Sequence, residues 1–239
     1  MVSDERAVRV GVAFARQAGT APGSRLCSAC VDVMHVTGAG VTIMSGRHSG
    51  PVCSSNDRVR RLEDLQFSLG EGPCHDAFVT GKPVSEPDLA VRPAHTWMNY
   101  AAPALALGAC AVFAFPLHVG GRVVGVLTLY QDDVGPLSDQ QTADGIVVAD
   151  VLAGTMSAIQ DRSTPSLLAH ELVDESSHRA EVHQASGMAA VQLHIGVDEA
   201  LMRIRAHAYA TSQSVAFVAQ EIVAHRLQLS DDEPIEVKE

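Results

Sequence analysis

Two apolar runs, Ala111 to Val119 and Arg122 to Tyr130, flank the dipeptide Gly120-Gly121. Both loop residues are free to adopt the positive φ that a two-residue hairpin turn demands, so the runs are expected to pair as antiparallel neighbours. Their near-continuous apolarity implies cover on both faces, because a strand with one wet face alternates. A chain built around this hairpin therefore needs further layers on each side of its sheet.

The flanking sequence supplies helices. Val8 and Phe14 mark a first helix ending near Gly19, and Ser24 can cap a second whose Cys27, Cys30, Val31 and Met34 fall at offsets 0, 3, 4 and 7. Gly38-Ala39-Gly40 is read as its end. Val41 to Ser45 and Val52 to Ser55 read as strands around a Gly- and Pro-containing turn, and Asn56 or Asp57 caps a helix with Val59, Leu62, Leu65 or Gln66, and Leu69 inward. After the hairpin, Ser138 or Asp139 opens a long helix with Ile146, Val147, Val151, Leu152, Met156 and Ile159 on one side. The polar stretch Asp161 to Ser166 then breaks the pattern and marks a domain boundary.

Beyond it the chain reads as three helices. The first runs from Leu167 to about His194 and carries Leu168, Leu172, Val182, Met188 and Val191. The second carries Val197, Ala200, Leu201, Ile204 and Ala208, and the third, capped by Ser214, turns Val215, Val218, Ala219, Ile222 and Leu229 inward. The fold class is α+β: residues 1–160 form an antiparallel sheet flanked by helices, residues 161–229 a three-helix bundle on a helical stalk, and residues 230–239 an acidic tail expected to be disordered.

Charge narrows the function. The 239 residues carry a net −11, of which −4 falls on residues 1–165 and −7 on the remainder, so no broad basic field draws in nucleic acid. Any nucleic-acid function must rest on local chemistry. The uncharged stretch Ala101 to Leu117 is interrupted by Pro103, Gly108 and Pro116, which argues against a membrane span. The charged start Met1-Val2-Ser3-Asp4-Glu5-Arg6 is unlike a secretory leader, and five Cys are an odd number, so a cytoplasmic protein with free thiols is expected.

Several residue groups carry possible chemistry. Cys27 and Cys30 have the spacing of a redox or zinc half-site, but no second pair follows and both lie on an apolar helix face, which makes them packing residues. Cys74-His75 has the composition of a nucleophile and base, although neighbours on a helix point apart. The chain has 11 His, six of them after residue 165, spread over several helical faces in no metal-binding pattern. Arg205 borders the apolar stripe of its helix and Arg203 lies farther round. With Arg179, His183 and Gln184 they form a guanidinium-rich spot on an acidic protein.

Two segments resemble known families. Residues from about 24 to 160 resemble a GAF domain of the actinobacterial kind through Gly38-Ala-Gly-Val-Thr-Ile-Met44, Leu69-Gly-Glu-Gly-Pro-Cys-His-Asp-Ala-Phe78, Gly81-Lys-Pro-Val84, Pro87-Asp-Leu89 and the Phe115-Pro-Leu117 hairpin with Val124-Gly-Val126. Residues from about 170 to 229 resemble an ANTAR domain through Gln184-Ala-Ser-Gly-Met188, Gln192-Leu193, Glu199-Ala-Leu201, Ile204-Arg-Ala-His-Ala-Tyr209 and Val218-Ala219 with Ile222-Val223.

The resemblance implies a signal-responsive, non-enzymatic regulator in which a sensor domain controls an RNA-binding bundle that binds paired stem-loops in nascent transcripts and promotes antitermination. The RNA-binding set expected on that bundle is Arg179, His183, Gln184, Ala185, Gly187, Met188, Arg203 and Arg205, with Arg205 as principal contact by elimination, since the segment offers only four Arg before its acidic tail and Arg226 lies far along the chain. Ala185 and Gly187 serve either close RNA approach or close helix packing. A small-molecule effector of unspecified identity would be lined by Met44, Cys74, Phe78, Trp97, Tyr100 and Phe115. A homodimer through the helix Ser138 to Gln160 and the start of the helix after Pro165 is expected from the apolar stripe of the former. The competing readings are a thiol redox enzyme of the sulfoxide reductase type, using Cys74 with Cys53 or Cys110, and a protein-interaction module.

Overall fold

A computed structural model describes residue 10 and residues 22–44, 50–92, 96–161, 177–211, 213 and 215–230. The chain divides into two compact units, Met1–Asp174 and Glu175–Glu239. The helix expected before Gly19, the interruption at 161–166 and the acidic tail fall almost wholly outside the described residues.

The first unit is one antiparallel sheet. Its strands are β1 (Gly38–Ile43), β2 (Gly50–Ser54), β3 (Val84–Glu86), β4 (Ala111–Val119) and β5 (Arg122–Gln131), in the order β2-β1-β5-β4-β3. The central hairpin forms as its sequence dictates: Val119 pairs with Arg122, and Gly120 and Gly121 take φ of 56° and 78°. Side chains alternate across the strands. Phe113, Phe115 and Leu117 pack with α1 (Pro22–Met34) and α5 (Asp139–Asp161) on one face, while Val112, Ala114 and Tyr130 face α2 (Asp57–Leu69), α3 (Pro73–Thr80) and α4 (Ala101–Ala106) on the other. Each fully buried Leu or Phe adds about 1.5–3 kcal/mol, so this doubly covered hairpin supplies much of the unit's stability.

Several expectations change in the folded chain. Gly38-Ala39-Gly40 lies in β1 instead of ending a helix, because α2 crosses the strand so closely that a Cβ on Gly40 would stand 2.6 Å from the Glu63 carboxyl carbon. The helix α1 begins at Pro22, ahead of the proposed Ser24 cap. On α5 the buried stripe is Asp144, Gly145, Val148, Ala149, Leu152 and Ala153, and Ile146 is exposed. Gly145 sets that rotation: a Cβ there would be 2.6 Å from Cζ of Phe115, so only glycine lets the helix lie on the ring.

The thiols are not all free. Cys27 of α1 and Cys53 of β2 form a disulfide across the core with Cα atoms 6.0 Å apart, while Cys30, Cys74 and Cys110 are unpaired. The uncharged stretch from Ala101 divides into α4 and β4, and among the described residues no helix is long and apolar enough to cross a membrane.

The second unit contains α6 (Ser177–Leu193), α7 (Val197–Ala210) and α8 (Val215–Val223). Val182, Ala185, Ala189, Ala200, Ile204, Ala208, Val218 and Ile222 form its interior. Small residues at the crossings allow close approach between helices. Val191, expected inside, is 77% exposed.

Candidate functional site

Polar side chains converge behind the sheet, on the face covered by α2, α3 and α4. Asn56 starts α2 by accepting a hydrogen bond from the Val59 N–H at 2.9 Å, and the helix buries Val59, Leu62, Glu63 and Gln66 at offsets 0, 3, 4 and 7. Two of these four are polar. Gly40 of β1 pairs with Thr128 of β5, which places Thr42, Thr128 and Tyr130 on the same face beneath them.

A hydrogen-bond chain links these groups. The Cys74 N–H donates to Gln66 Oε1 at 2.8 Å, Gln66 Nε2 donates to Tyr130 Oη at 2.9 Å, and the Tyr130 hydroxyl donates to Glu63 Oε1 at 2.6 Å. The Thr42 hydroxyl donates to the other oxygen, Oε2. The hydroxyls of Tyr100 and Thr128 lie buried in the same cluster without a hydrogen bond of good geometry, close though they are to Tyr130 and Glu63.

Burial governs the ionisation of this cluster. Removal from water raises the Glu63 carboxyl from its ordinary 4.5 to about 7, against the lowering effect of its hydroxyl donors. Near neutrality it exists in both protonation states. Desolvation, reinforced by Glu63, also pushes the Cys74 thiol and the Tyr100 and Tyr130 phenols well up. Cys74 is consequently a protonated thiol with little nucleophilic character.

The Leu69 to Cys74 segment fixes this arrangement. Gly70 ends α2 at φ 63°, and Gly72, at φ 123°, approaches Gln66 so closely that a Cβ would lie 2.6 Å from Oε1. Between them Glu71 Oε1 accepts the backbone N–H of Asn99 at 2.6 Å and of Tyr100 at 2.8 Å. Trp97, at the uncommon φ of 50°, donates its indole N–H to Asp76 at 2.9 Å, and its carbonyl accepts from Arg92 at 3.0 Å. The Arg92 guanidinium lies 5.9 Å from the indole centre, and Trp97 meets Tyr100 edge to face at 6.3 Å.

The six residues expected to line an effector pocket divide between the faces. Cys74, Met44 and Phe78 pack in one small cluster and Trp97 and Tyr100 in another on the same side, whereas Phe115 belongs to the opposite core with α1 and α5. Glu63, Gln66, Thr42, Thr128 and Tyr130 were missed as site residues. Their signal was present in part: Glu63 and Gln66 share the inward spacing of Val59 and Leu62.

In the second unit, Gln184, Gly187 and Met188 line one groove on α6. Ala185 is fully buried and packs the helices. His183 is half-buried, and the side chain of Arg179 lies outside the described residues. Arg203 and Arg205 are half-buried on α7; Arg203 is 3.9 Å from Glu199, and burial lowers the pKa of the Arg205 guanidinium. Neither arginine lines the groove. Among the described residues, no three His, Cys, Asp or Glu side chains are grouped to hold a metal ion.

A family model described as "GAF domain" matches residues 23–158, more than half of the chain. No curated protein matches the sequence. Solved structures similar to this chain include the GAF domain of a phosphoenolpyruvate-protein phosphotransferase from Acinetobacter, 12% identical with a TM-score of 0.48 over 67% of this chain and 96% of that one. The corresponding domain from Coxiella burnetii is 14% identical, with a TM-score of 0.49 over 65% and 95%. A type II free methionine-R-sulfoxide reductase from Thermoplasma acidophilum is 17% identical, with a TM-score of 0.42 over 56% and 92%.

Proposed function

The chain belongs to the GAF domain family, and we propose that its sensor unit regulates an RNA-binding helical unit that captures paired stem-loops in nascent transcripts and promotes antitermination. The observation that carries this reading is the meeting of Gln184, Gly187 and Met188 on one open face of a separate three-helix unit. These residues belong to the segment whose pattern resembles an ANTAR domain. Recognition of splayed loop bases suits a net-acidic protein, since single-stranded loops offer stacking and edge contacts without a wide cationic surface. Arg203 and Arg205 supply the phosphate contacts. The active species is a homodimer, and the GAF unit responds to a small effector or to the ionisation of its interior without turning over a substrate.

The thiol-enzyme alternative meets two obstacles. Cys74 is buried and held protonated, and Cys53, one of its two candidate resolving partners, is bonded to Cys27. The deciding experiment measures binding of the full-length protein to an RNA with two adjacent hairpins, followed by terminator read-through during transcription in vitro. Binding with increased read-through is expected; no shift of a two-hairpin RNA at any salt concentration would refute the reading.

A further inference from the structure

Gln184, Gly187, Met188, Val191 and Gln192 repeat along α6 at offsets 0, 3, 4, 7 and 8, so they form a single stripe. Across a groove of about 530 Å³ stand Ile222, His225, Leu227 and Gln228, from the end of α8 and the turn beyond it. Among the described residues that line it there is no carboxylate, lysine or arginine, although the whole chain carries −11. Its chemistry is therefore that of a neutral ligand.

The apolar surface comes from Met188, Val191, Ile222 and Leu227, with Val191 left 77% exposed. The polar groups are three carboxamides and one imidazole. Each carboxamide presents a donor and an acceptor in one plane, the pattern that pairs with the edge of a nucleobase. Gln192 uses one N–H on the Leu229 carbonyl at 2.9 Å, which ties the turn after α8 to α6 and retains a second N–H and an acceptor. At Gly187 a Cβ would meet nothing within 4 Å, so the glycine leaves open space at the middle of the stripe. Apolar contact for a ring face, planar amides for its edge and no fixed charge among the lining residues describe a site for an uncharged heterocycle.

Resting on the RNA-binding reading above, we propose that this groove receives one unstacked base of a hairpin loop, with Gln192, His225 and Gln228 as residues that read its edge. The groove selects the base, while Arg203 and Arg205 on α7 engage the backbone. Affinity and sequence preference are thus assigned to different helices.

The test uses the full-length protein and an RNA of two adjacent hairpins with randomised loops, sequencing the bound fraction. Wild-type protein should enrich one base at one loop position. His225→Ala and Gln228→Ala should reduce that enrichment by about tenfold and leave the dependence on salt unchanged. Gly187→Leu should weaken binding by about tenfold by filling the groove, with helicity retained because leucine is the better helix former. Wild-type loop preference in all three variants, with RNA still bound, would overturn the groove assignment and leave the RNA-binding reading standing. Failure of wild-type protein to bind any member of the pool would overturn both. A groove variant that instead changes the sedimenting mass assigns the groove to a second copy of the chain and overturns the base site.

Discussion

Behind the sheet of the first unit, Glu63, Gln66, Tyr100, Tyr130, Thr42, Thr128 and Cys74 crowd together with almost no exposure, whereas the groove on α6 opens its carboxamides to solvent and, among its described lining residues, has His225 as its ionisable group. The first arrangement makes ionisation sensitive to packing: burial raises Glu63 to about 7, and every neighbour that helps bury it shares in the effect. The second leaves packing nearly indifferent to the chemistry. A cluster of the first kind can respond to a signal but cannot receive a large ligand without moving its own side chains. A groove of the second kind can bind while the bundle stays fixed.

The sharpest way to break this contrast is to remove the ring that joins the buried groups. Tyr130→Ala leaves a large cavity and frees both Glu63 and Gln66 of their shared partner, so it should destabilise the first unit by about 3–5 kcal/mol in urea unfolding. A loss below about 1 kcal/mol would mean that the cluster does not help to hold α2 on the sheet. Next in size is the Cys27 to Cys53 link, which closes a sequence separation of 26 residues and is worth roughly 3–4 kcal/mol by chain entropy. Thermal unfolding with and without reductant should show that loss, and Cys27→Ala with Cys53→Ala should abolish the difference.

The ionisation of Glu63 gives the third test. The folded chain keeps its proton up to about pH 7, whereas the unfolded chain releases it near 4.5, so stability from this group is complete below 4.5, falls as the pH rises and levels off above 7. The fall amounts to roughly 3 kcal/mol. Subtracting the pH profile of Glu63→Gln from that of wild type should isolate it, and superimposable profiles would contradict the raised pKa. The smallest effect belongs to the groove. Gly187→Ala should stabilise the second unit by about 0.5–1 kcal/mol, because its Cβ enters open space within a helix. Destabilisation would show that the groove is already filled.

The hairpin, the helix α2 with its Asn56 cap, and helical character over 177–193, 197–210 and 215–223 were legible from periodicity and turn residues; the last helix ends at Val223, short of Leu229, and the expected start of the first at Leu167 lies outside the described residues. The site was legible only where spacing alone identifies a face. Gln184, Gly187 and Met188 meet because one helix carries them, and a single helix is a short-range object. Ala185 lies beside them in sequence and yet is buried, since a step of one residue turns about 100° round the helix. Phe115 failed for the corresponding reason in a strand: it points to the opposite face from Tyr130.

By itself, the sequence determined the turn at Gly120-Gly121, the helical character of α2 and of the C-terminal segments, and that β4 and β5 must be covered on both sides, because those properties depend on neighbours within a few residues. Only tertiary structure decided that Glu63 is stripped of water and raised to about pKa 7, that Cys27 meets Cys53 and that α5 rests Gly145 on Phe115. Each of these depends on which residue of a distant element arrives opposite. Desolvation and contact are properties of that arrival, and no local pattern encodes them.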